Sequence, residues 1–456
     1  MVQFPENFIW GTATSAFQIE GAPEAEGKGL SIWDEFVRRP GAISDGSTPY
    51  PGPDHYRRWR EDVDLMASLG VKAYRFSVSW PRVQPRGQGP VNRRGLDFYS
   101  RLVDALLERG IEPFLTLYHW DLPLGLQKRG GWERRETTDR FAEYAALLAE
   151  RLGDRVRRWI TINEPGTVTN FGYLRGVHAP GKRNLVAAAR AVHFMLLAHG
   201  KAVRAIRAQR PEALVGLSSI VSPVVPEREK DRKIAALIDK GVNRLFLDPV
   251  FKGSYPRGLR MAMAMLTRET REEDLKTISE PIDFLGVNHY ARTVVRKSRL
   301  PIIGFTVRAA SYEGVRFTDM NWEVFPESFY DIISWVDREY GPIPIFVTEN
   351  GAAFRDEVRS KEIDDRERIE YLRSYLTALN RAMREGVDVR GYFVWSLLDN
   401  FEWSEGLSKR FDLVHIDYAT GRRTVKASGR WYSRVCHGDG TVFSSEQEER
   451  VLGENR

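Results

Sequence analysis

Along most of the chain one pattern recurs: apolar residues at helical spacing, then a glycine, then a short apolar run rich in β-branched and aromatic residues. In HYRRWREDVDLMASLG the residues Tyr56, Trp59, Val63 and Met66 share a helical face, and Gly70 can take the left-handed conformation that ends a helix. The strand-like run VKAYRFSVSW follows at once. The same order places Leu102, Leu106 and Gly110 before IEPFLTLYHW, and Tyr144, Leu148 and Gly153 before RVRRWITINEP. It returns with Leu372, Leu376, Leu379, Met383 and Gly386 before VDVRGYFVWSLLD. Adding NFIWGTAT, LVGLSSIV, IDFLGVNHY and PIFVTENG gives eight strands alternating with helices. Alternation predicts a parallel sheet, and eight units favour closure into a (β/α)8 barrel over an open doubly wound sheet. No GxGxxG follows a strand, which counts against a dinucleotide-binding fold.

A length of 456 residues would suggest about three domains at roughly 150 residues each, but barrels of this kind run longer. No low-complexity linker divides the chain. Residues 1–436 therefore read as one barrel and the polar stretch 437–456 as a loosely held tail. The irregular segments around 37–54 and 291–325 each follow a strand and so belong to the rim. With 42% hydrophobic residues the chain can bury a large core without disulfides, and its single cysteine, Cys436, reads as a packing residue. The start MVQFPENFIWG has no basic stretch followed by an apolar run, so neither signal peptide nor membrane anchor is expected and the cytoplasm is the expected location. The formal charge of +6 comes from basic residues interleaved with acidic ones, as in RRWREDVD, which predicts a salt-bridged surface rather than a nucleic-acid stripe.

Barrels of this type place their chemistry at the C-terminal ends of the strands. Those ends carry Gln18 and Glu20 after the first strand, Arg75 on the second, His119 and Trp120 on the third, and Asn163 and Glu164 on the fourth. Asn288 and Tyr290 close the sixth, Glu349 and Asn350 the seventh, and Trp395 the eighth, followed by Glu402 and Trp403. A lone Glu is usually a surface residue and a lone Trp usually core. Two Glu at strand ends within a rim of amides, a His, an Arg and several Trp call for a chemical reading. Cleaving an acetal needs a proton for the leaving oxygen and stabilisation of an oxocarbenium-like transition state, and two opposed carboxyls supply both. Trp120, Trp395 and Trp403 offer flat apolar faces for a pyranose, while Gln18, His119, Asn163 and Glu402 can bond its hydroxyls. The histidines lack ligand spacing such as HExxH and Cys436 stands alone, so no metal or organic cofactor is implied.

With these segments in order, the chain resembles glycoside hydrolase family 1, the β-glucosidase and β-galactosidase family. The resemblance rests on NFIWGTATSAFQIEG, YRFSVSWPR, YHWDLP, TINEP, VNHY, VTENG and WSLLDNFEW and extends over nearly the whole chain. It implies Glu164 in TINEP as acid/base and Glu349 in VTENG as nucleophile. It assigns Gln18, His119, Asn163, Trp395, Glu402 and Trp403 to the site for the non-reducing sugar, Arg75 and Tyr290 to support of the nucleophile, and Trp322 to the leaving-group side. One departure is Leu124 after YHWDLP, where the family often has Gln.

The expected reaction is hydrolysis of terminal β-D-glucosyl residues, with fucosyl and galactosyl residues as further candidates, acting on small β-glycosides and short oligosaccharides. Arg75 should stabilise charge on Glu349, whose charge in turn keeps Glu164 protonated; forming the glycosyl-enzyme removes that charge and turns Glu164 into a base. Retention requires the two carboxyls to lie about 5 Å apart. A phospho-β-glycosidase would need a cationic pocket where Glu402 stands. Thioglycosidases resemble the family with Gln at the acid/base position, where this chain has Glu164. A silent sugar-binding barrel would normally have lost one carboxylate, and both are present.

Overall fold

The structure is a computed structural model, described over residues 2–267, 270–297, 305–308, 314–359, 362–438 and 441–442. Eight parallel strands close into a barrel: β1 (Ile9–Ala13), β2 (Ala73–Ser77), β3 (Glu112–Tyr118), β4 (Arg158–Asn163), β5 (Leu214–Ile220), β6 (Phe284–Asn288), β7 (Ile345–Asn350) and β8 (Val389–Trp395). Their order around the barrel follows the sequence, and β8 pairs with β1 to close it. The expected (β/α)8 barrel is thus the observed one, and all eight predicted strand segments contain a barrel strand.

Strands buried on both faces need apolar residues inside and out. The interior holds Ala13, Ala73, Phe114, Ile160, Phe284, Phe346 and Phe393. Small residues make room for large ones: a Cβ on Gly11 would lie 2.4 Å from the Phe393 ring, which packs 4.7 Å from Phe114. Outside lie α1 (His55–Ser68), α2 (Arg93–Glu108), α3 (Arg135–Leu152), α4 (Leu185–Gln209), α5 (Glu327–Tyr340) and α6 (Arg366–Arg384), with α7 (Ala427–His437) after β8. Their predicted stripes face inward: Trp59, Val63 and Met66, Leu102 and Leu106, Tyr144 and Leu148, and Leu372, Leu376 and Leu379 are buried.

Gly70, Gly110 and Gly386 end their helices with φ of 73°, 68° and 104°. Gly153 differs, remaining right-handed at φ −71°. Glycine serves there for closeness, since a Cβ would lie 2.3 Å from the Ala149 carbonyl oxygen and 2.5 Å from Arg210 Cγ. Cys436 is buried in α7. Helix α7 runs to His437, and Thr441–Val442 pairs antiparallel with Val2–Gln3; the rest of the stretch read as a tail lies outside the described residues, apart from Gly438. Among the described residues no helix is long and apolar enough to cross a membrane.

Candidate active site

At the C-terminal ends of the strands a cavity of about 630 Å³ opens, walled by His119, Trp120, Glu164, Tyr290, Trp322, Glu349, Trp395, Glu402 and Trp403. A second cavity, of about 900 Å³, opens at the other end of the barrel beside Phe4, Phe8, Arg158 and Arg384. Size favours the second, but its lining holds one carboxylate, Asp388, already paired with Arg390. The chemistry belongs to the first.

Strands β7 and β6 place Glu349 and Asn288 as register partners, and β4 carries Asn163 and Glu164 nearby. Both oxygens of Glu349 are held: Arg75 Nη1 donates to Oε1 at 2.7 Å and the Tyr290 hydroxyl to Oε2 at 2.7 Å. Arg75, wholly buried, also donates through Nη2 to Asn163 Oδ1 at 2.6 Å and through Nη1 to the Thr348 carbonyl at 2.9 Å. Burial and the charge of Glu349 push the Tyr290 phenol well above its usual range, so it stays a donor.

Glu164 sits differently. Asn288 Nδ2 donates to its Oε1 at 2.7 Å and Thr167 Oγ1 lies 2.7 Å from its Oε2. Burial and the charge of Glu349 push its carboxyl up to about 8, against the opposing influence of those bonds and of Arg75. Glu402 is likewise raised to about 8, by burial and then by the charges of Glu349 and Glu164. Of the three carboxyls, only Glu349 is thus paired with a guanidinium, and the other two are raised. His119 is neutral, its pKa held well below the usual range by burial and then by Arg75. With Asn163 Oδ1 occupied by Arg75 and Asn288, Asn163 Nδ2 donates to His119 Nε2 at 3.0 Å, which leaves Nδ1–H without a protein partner.

The aromatic wall is continuous. Trp120 and Trp403 lie 4.3 Å apart, Trp403 stacks on Phe17 with planes 7° apart, and His119 stacks 5.6 Å from Trp395. Trp322 meets Tyr290 at 5.1 Å. Trp120, Glu164 and Trp403 all have left-handed backbones, with φ of 80°, 48° and 50°. Such conformations cost on the order of 1–3 kcal/mol each for residues with a side chain and persist where surroundings over-determine them.

Gln18 lies behind the wall: its Nε2 donates to Asn400 Oδ1 and the Phe401 carbonyl, each at 2.9 Å, and reaches Glu402 Oε2 at 3.4 Å. Glu20 and Asn350 turn away, Glu20 to Arg82 and Tyr99, and Asn350 to the His289 carbonyl and the hydroxyls of Tyr371 and Tyr392. Leu124 opens a short helix and is not among the cavity-lining residues. Sequence reasoning missed Thr167 and Phe171, although their spacing of three and seven from Glu164 in EPGTVTNF is helical and a signal in itself.

The turn bearing Asn400 and Glu402 is braced from behind. Lys426 Nζ lies 2.7 Å from Asp399 and 2.8 Å from Asp356, and His415 Nδ1 lies 3.1 Å from Asp356 and 3.3 Å from Asp399. Arg410 pairs with Asp399 at 2.5 Å, and Arg368 with Asp365. Donor atoms of Asp356, Asp399 and His415 all lie within 4.8 Å of one another, a spacing that suits a cation, and the Lys426 ammonium supplies one.

A carboxyl that keeps its proton beside one held by two donors is the pairing that acetal cleavage requires. The sequence profile of Glycosyl hydrolase family 1 matches residues 1–441. The chain belongs to that family. This family 1 enzyme is therefore a glycoside hydrolase. It is 46% identical over 444 residues to Beta-glucosidase A of Thermotoga maritima, covering 96% of this chain and 98% of the relative. To the 1,4-beta-D-glucan glucohydrolase of Thermotoga neapolitana it is 45% identical over 448 residues, covering 96% and 99%. The solved structure of the Thermotoga maritima β-glucosidase in complex with castanospermine superposes with a TM-score of 0.93 at 45% identity, over 97% of this chain and 100% of that one.

Proposed function

We propose that this family 1 enzyme is a retaining β-glucosidase that removes terminal β-D-glucosyl units from small β-glycosides and short oligosaccharides, with Glu349 as nucleophile and Glu164 as acid/base. The observation that carries the reading is the inequality of the two carboxyls: Arg75 and Tyr290 hold both oxygens of Glu349, while burial and the charge of Glu349 keep Glu164 protonated. Glu349 attacks the anomeric carbon as the bond to the leaving oxygen breaks and Glu164 gives that oxygen its proton. The ester so formed no longer carries the charge of Glu349, so Glu164 becomes the base that takes a proton from water. The water oxygen then attacks the anomeric carbon, and the Glu349 carboxylate leaves.

Around this pair, His119 Nδ1–H and Glu402 form the polar side of the sugar site, with Gln18 and Asn163 bonded behind them, and Trp120, Trp395 and Trp403 form the apolar side. Asn288 orients Glu164 through its 2.7 Å bond, and Trp322 lines the leaving-group side. A phosphorylated sugar is disfavoured beside Glu402. What disfavours it is that Gln18 and Trp395, which bond Glu402, bring no cation. We also propose one catalytic unit over residues 1–436 followed by a polar tail, a role in the breakdown of cellulose-derived glucosides, and a cytoplasmic location, which the lone buried Cys436 supports.

Azide tests the assignment. Glu349→Gly should lose turnover of an aryl β-glucoside and regain it with azide, yielding the α-glucosyl azide, because azide then attacks from the face the carboxylate left. Glu164→Gly with an activated aryl glucoside should give the β-glucosyl azide. The same anomer from both variants, or rescue of neither, would sink the assignment.

A further inference from the structure

Beyond the sugar site the cavity widens to a mouth of different character. Phe171, Val177, Ile220, Met320 and Trp322 line it, together with two arginines, Arg175 and Arg183. Many arginines of this protein pair with carboxylates, as in Arg109–Asp64, Arg135–Asp274 and Arg244–Glu339, while others on the surface do not; what sets Arg175 and Arg183 apart is their place in the cavity lining. Among the described residues neither Arg175 nor Arg183 has a carboxylate within 4 Å, and neither guanidinium has a hydrogen-bond partner. Both are nonetheless placed. Arg175 lies over the Phe171 ring at 5.1 Å, and its charge helps depress the neighbouring His178. Arg183 packs on Gly176, where an added Cβ would lie 2.7 Å from its Cγ.

The segment carrying them is also unusually apolar on its outside. Of nine large hydrophobic residues exposed among the described residues, four lie between residues 174 and 186: Leu174, Val177, Leu185 and Val186. Of these four, Val177 lines the cavity. Apart from the deep carboxyls Glu164, Glu349 and Glu402, the lining contains one acid, Glu405, which accepts from Ser44 Oγ at 3.4 Å. The mouth therefore keeps one cation in excess over its acids, while the negative charge of the site lies deep, on Glu349.

We propose that Arg175 and Arg183 select β-glucosides whose leaving group is an apolar, aromatic body ending in a carboxylate. This deepens, and rests on, the β-glucosidase reading above. The glucosyl unit occupies the acidic floor, the aromatic body lies against Phe171 and Trp322, and the carboxylate meets the two guanidiniums at the rim. A guanidinium with no internal partner costs little to engage, and its fork suits a carboxylate.

The test compares two glucosides that differ only in that charge: the phenolic β-D-glucoside of 3-(4-hydroxyphenyl)propanoate and that of the matching propanamide. Two methylenes insulate the phenol, so the leaving oxygens are equally acidic. Wild-type enzyme should favour the acid in kcat/KM by about 3- to 20-fold, carried by KM, as expected for two solvent-screened charge pairs. The preference should shrink in 0.5 M NaCl and fall to about 1 in Arg175→Met/Arg183→Met. A wild-type ratio of 1 or less overturns the proposal, as does a ratio that survives the double substitution or high salt. Failure to turn over p-nitrophenyl β-D-glucoside would instead overturn the β-glucosidase reading itself.

Discussion

Two groups of buried carboxyls lie back to back in this protein, one lining the cavity and one behind the turn that carries Asn400 and Glu402. On the cavity floor lie Glu164, Glu349 and Glu402, of which only Glu349 is paired with a cation, Arg75, and both Glu164 and Glu402 are raised to about 8. Behind the turn Asp356, Asp365 and Asp399 face Lys426, Arg410 and Arg368, with His415 between two of them. There, although burial disfavours their charge, Lys426 and His415 hold Asp356 and Asp399 below the usual carboxylate range, with Arg410 adding to the effect on Asp399. The neighbouring Asp412, bonded to Ser396 rather than to a cation, is instead raised well above that range by burial and the charge of Asp399. Burial is similar in the two places, and the balance of charge differs. Carboxyls short of cations hold protons they can give away; carboxyls matched with cations hold a turn in place.

The sharpest way to break that comparison is to remove the cation that holds Glu349. Arg75→Met should lower kcat/KM on an aryl β-glucoside by about three orders of magnitude, since Glu349 loses a charge-assisted bond in a dry site. A loss below tenfold would mean that the carboxyl inequality does not depend on it. Removing Lys426 should act on stability instead: Lys426→Met leaves Asp356 and Asp399 short of a buried partner and should cost about 3–5 kcal/mol in urea unfolding. An unchanged midpoint would show that the two groups are not built on different principles.

Acid and base behaviour sharpens the contrast further. The pH profile of kcat/KM should fall above about pH 8 as Glu164 loses its proton, and a direct titration of Glu164 should move to lower pH in Glu349→Gln, which removes a like charge. A titration that moved upward or stayed in place would separate the two carboxyls. The smallest effect concerns His415, whose pKa is raised by its bonds to Asp356 and Asp399. A group with a raised folded pKa stabilises fully below its unfolded value near 6.5 and loses that contribution as pH rises through the folded value. The stability gap between wild type and His415→Gln should therefore be present at pH 6 and close at higher pH. A gap that widened with pH would contradict the sign.

Much of this was legible in the residues because a closed parallel barrel sends every strand to one rim. Once the strands were placed, Arg75, His119, Asn163, Glu164, Asn288 and Glu349 had to converge, whatever their separation in sequence. What periodicity could not say was which neighbour each polar atom would take. Gln18 spends its amide on Asn400 and Phe401 rather than opening directly on the cavity, and Asn350 bonds Tyr371 and Tyr392 behind it. Lys426 and Asp399 are 27 residues apart with no spacing rule to join them, so their bond is a fact of tertiary packing. Gly153 shows a similar limit: a glycine at a helix end signals both a left-handed turn and a close approach, and the letters do not distinguish them.

The left-handed backbone at Glu164 bears on how such a sequence changes over generations. At φ 48° and ψ 65° the position suits Gly or Asn better than Glu, and its buried carboxyl adds a further penalty. Folding alone would thus steer residue 164 away from Glu, and the acid/base role proposed for it is what selection would keep there. In a lineage released from that selection, this site should be among the earliest to drift, with the fold growing firmer as the enzyme falls silent.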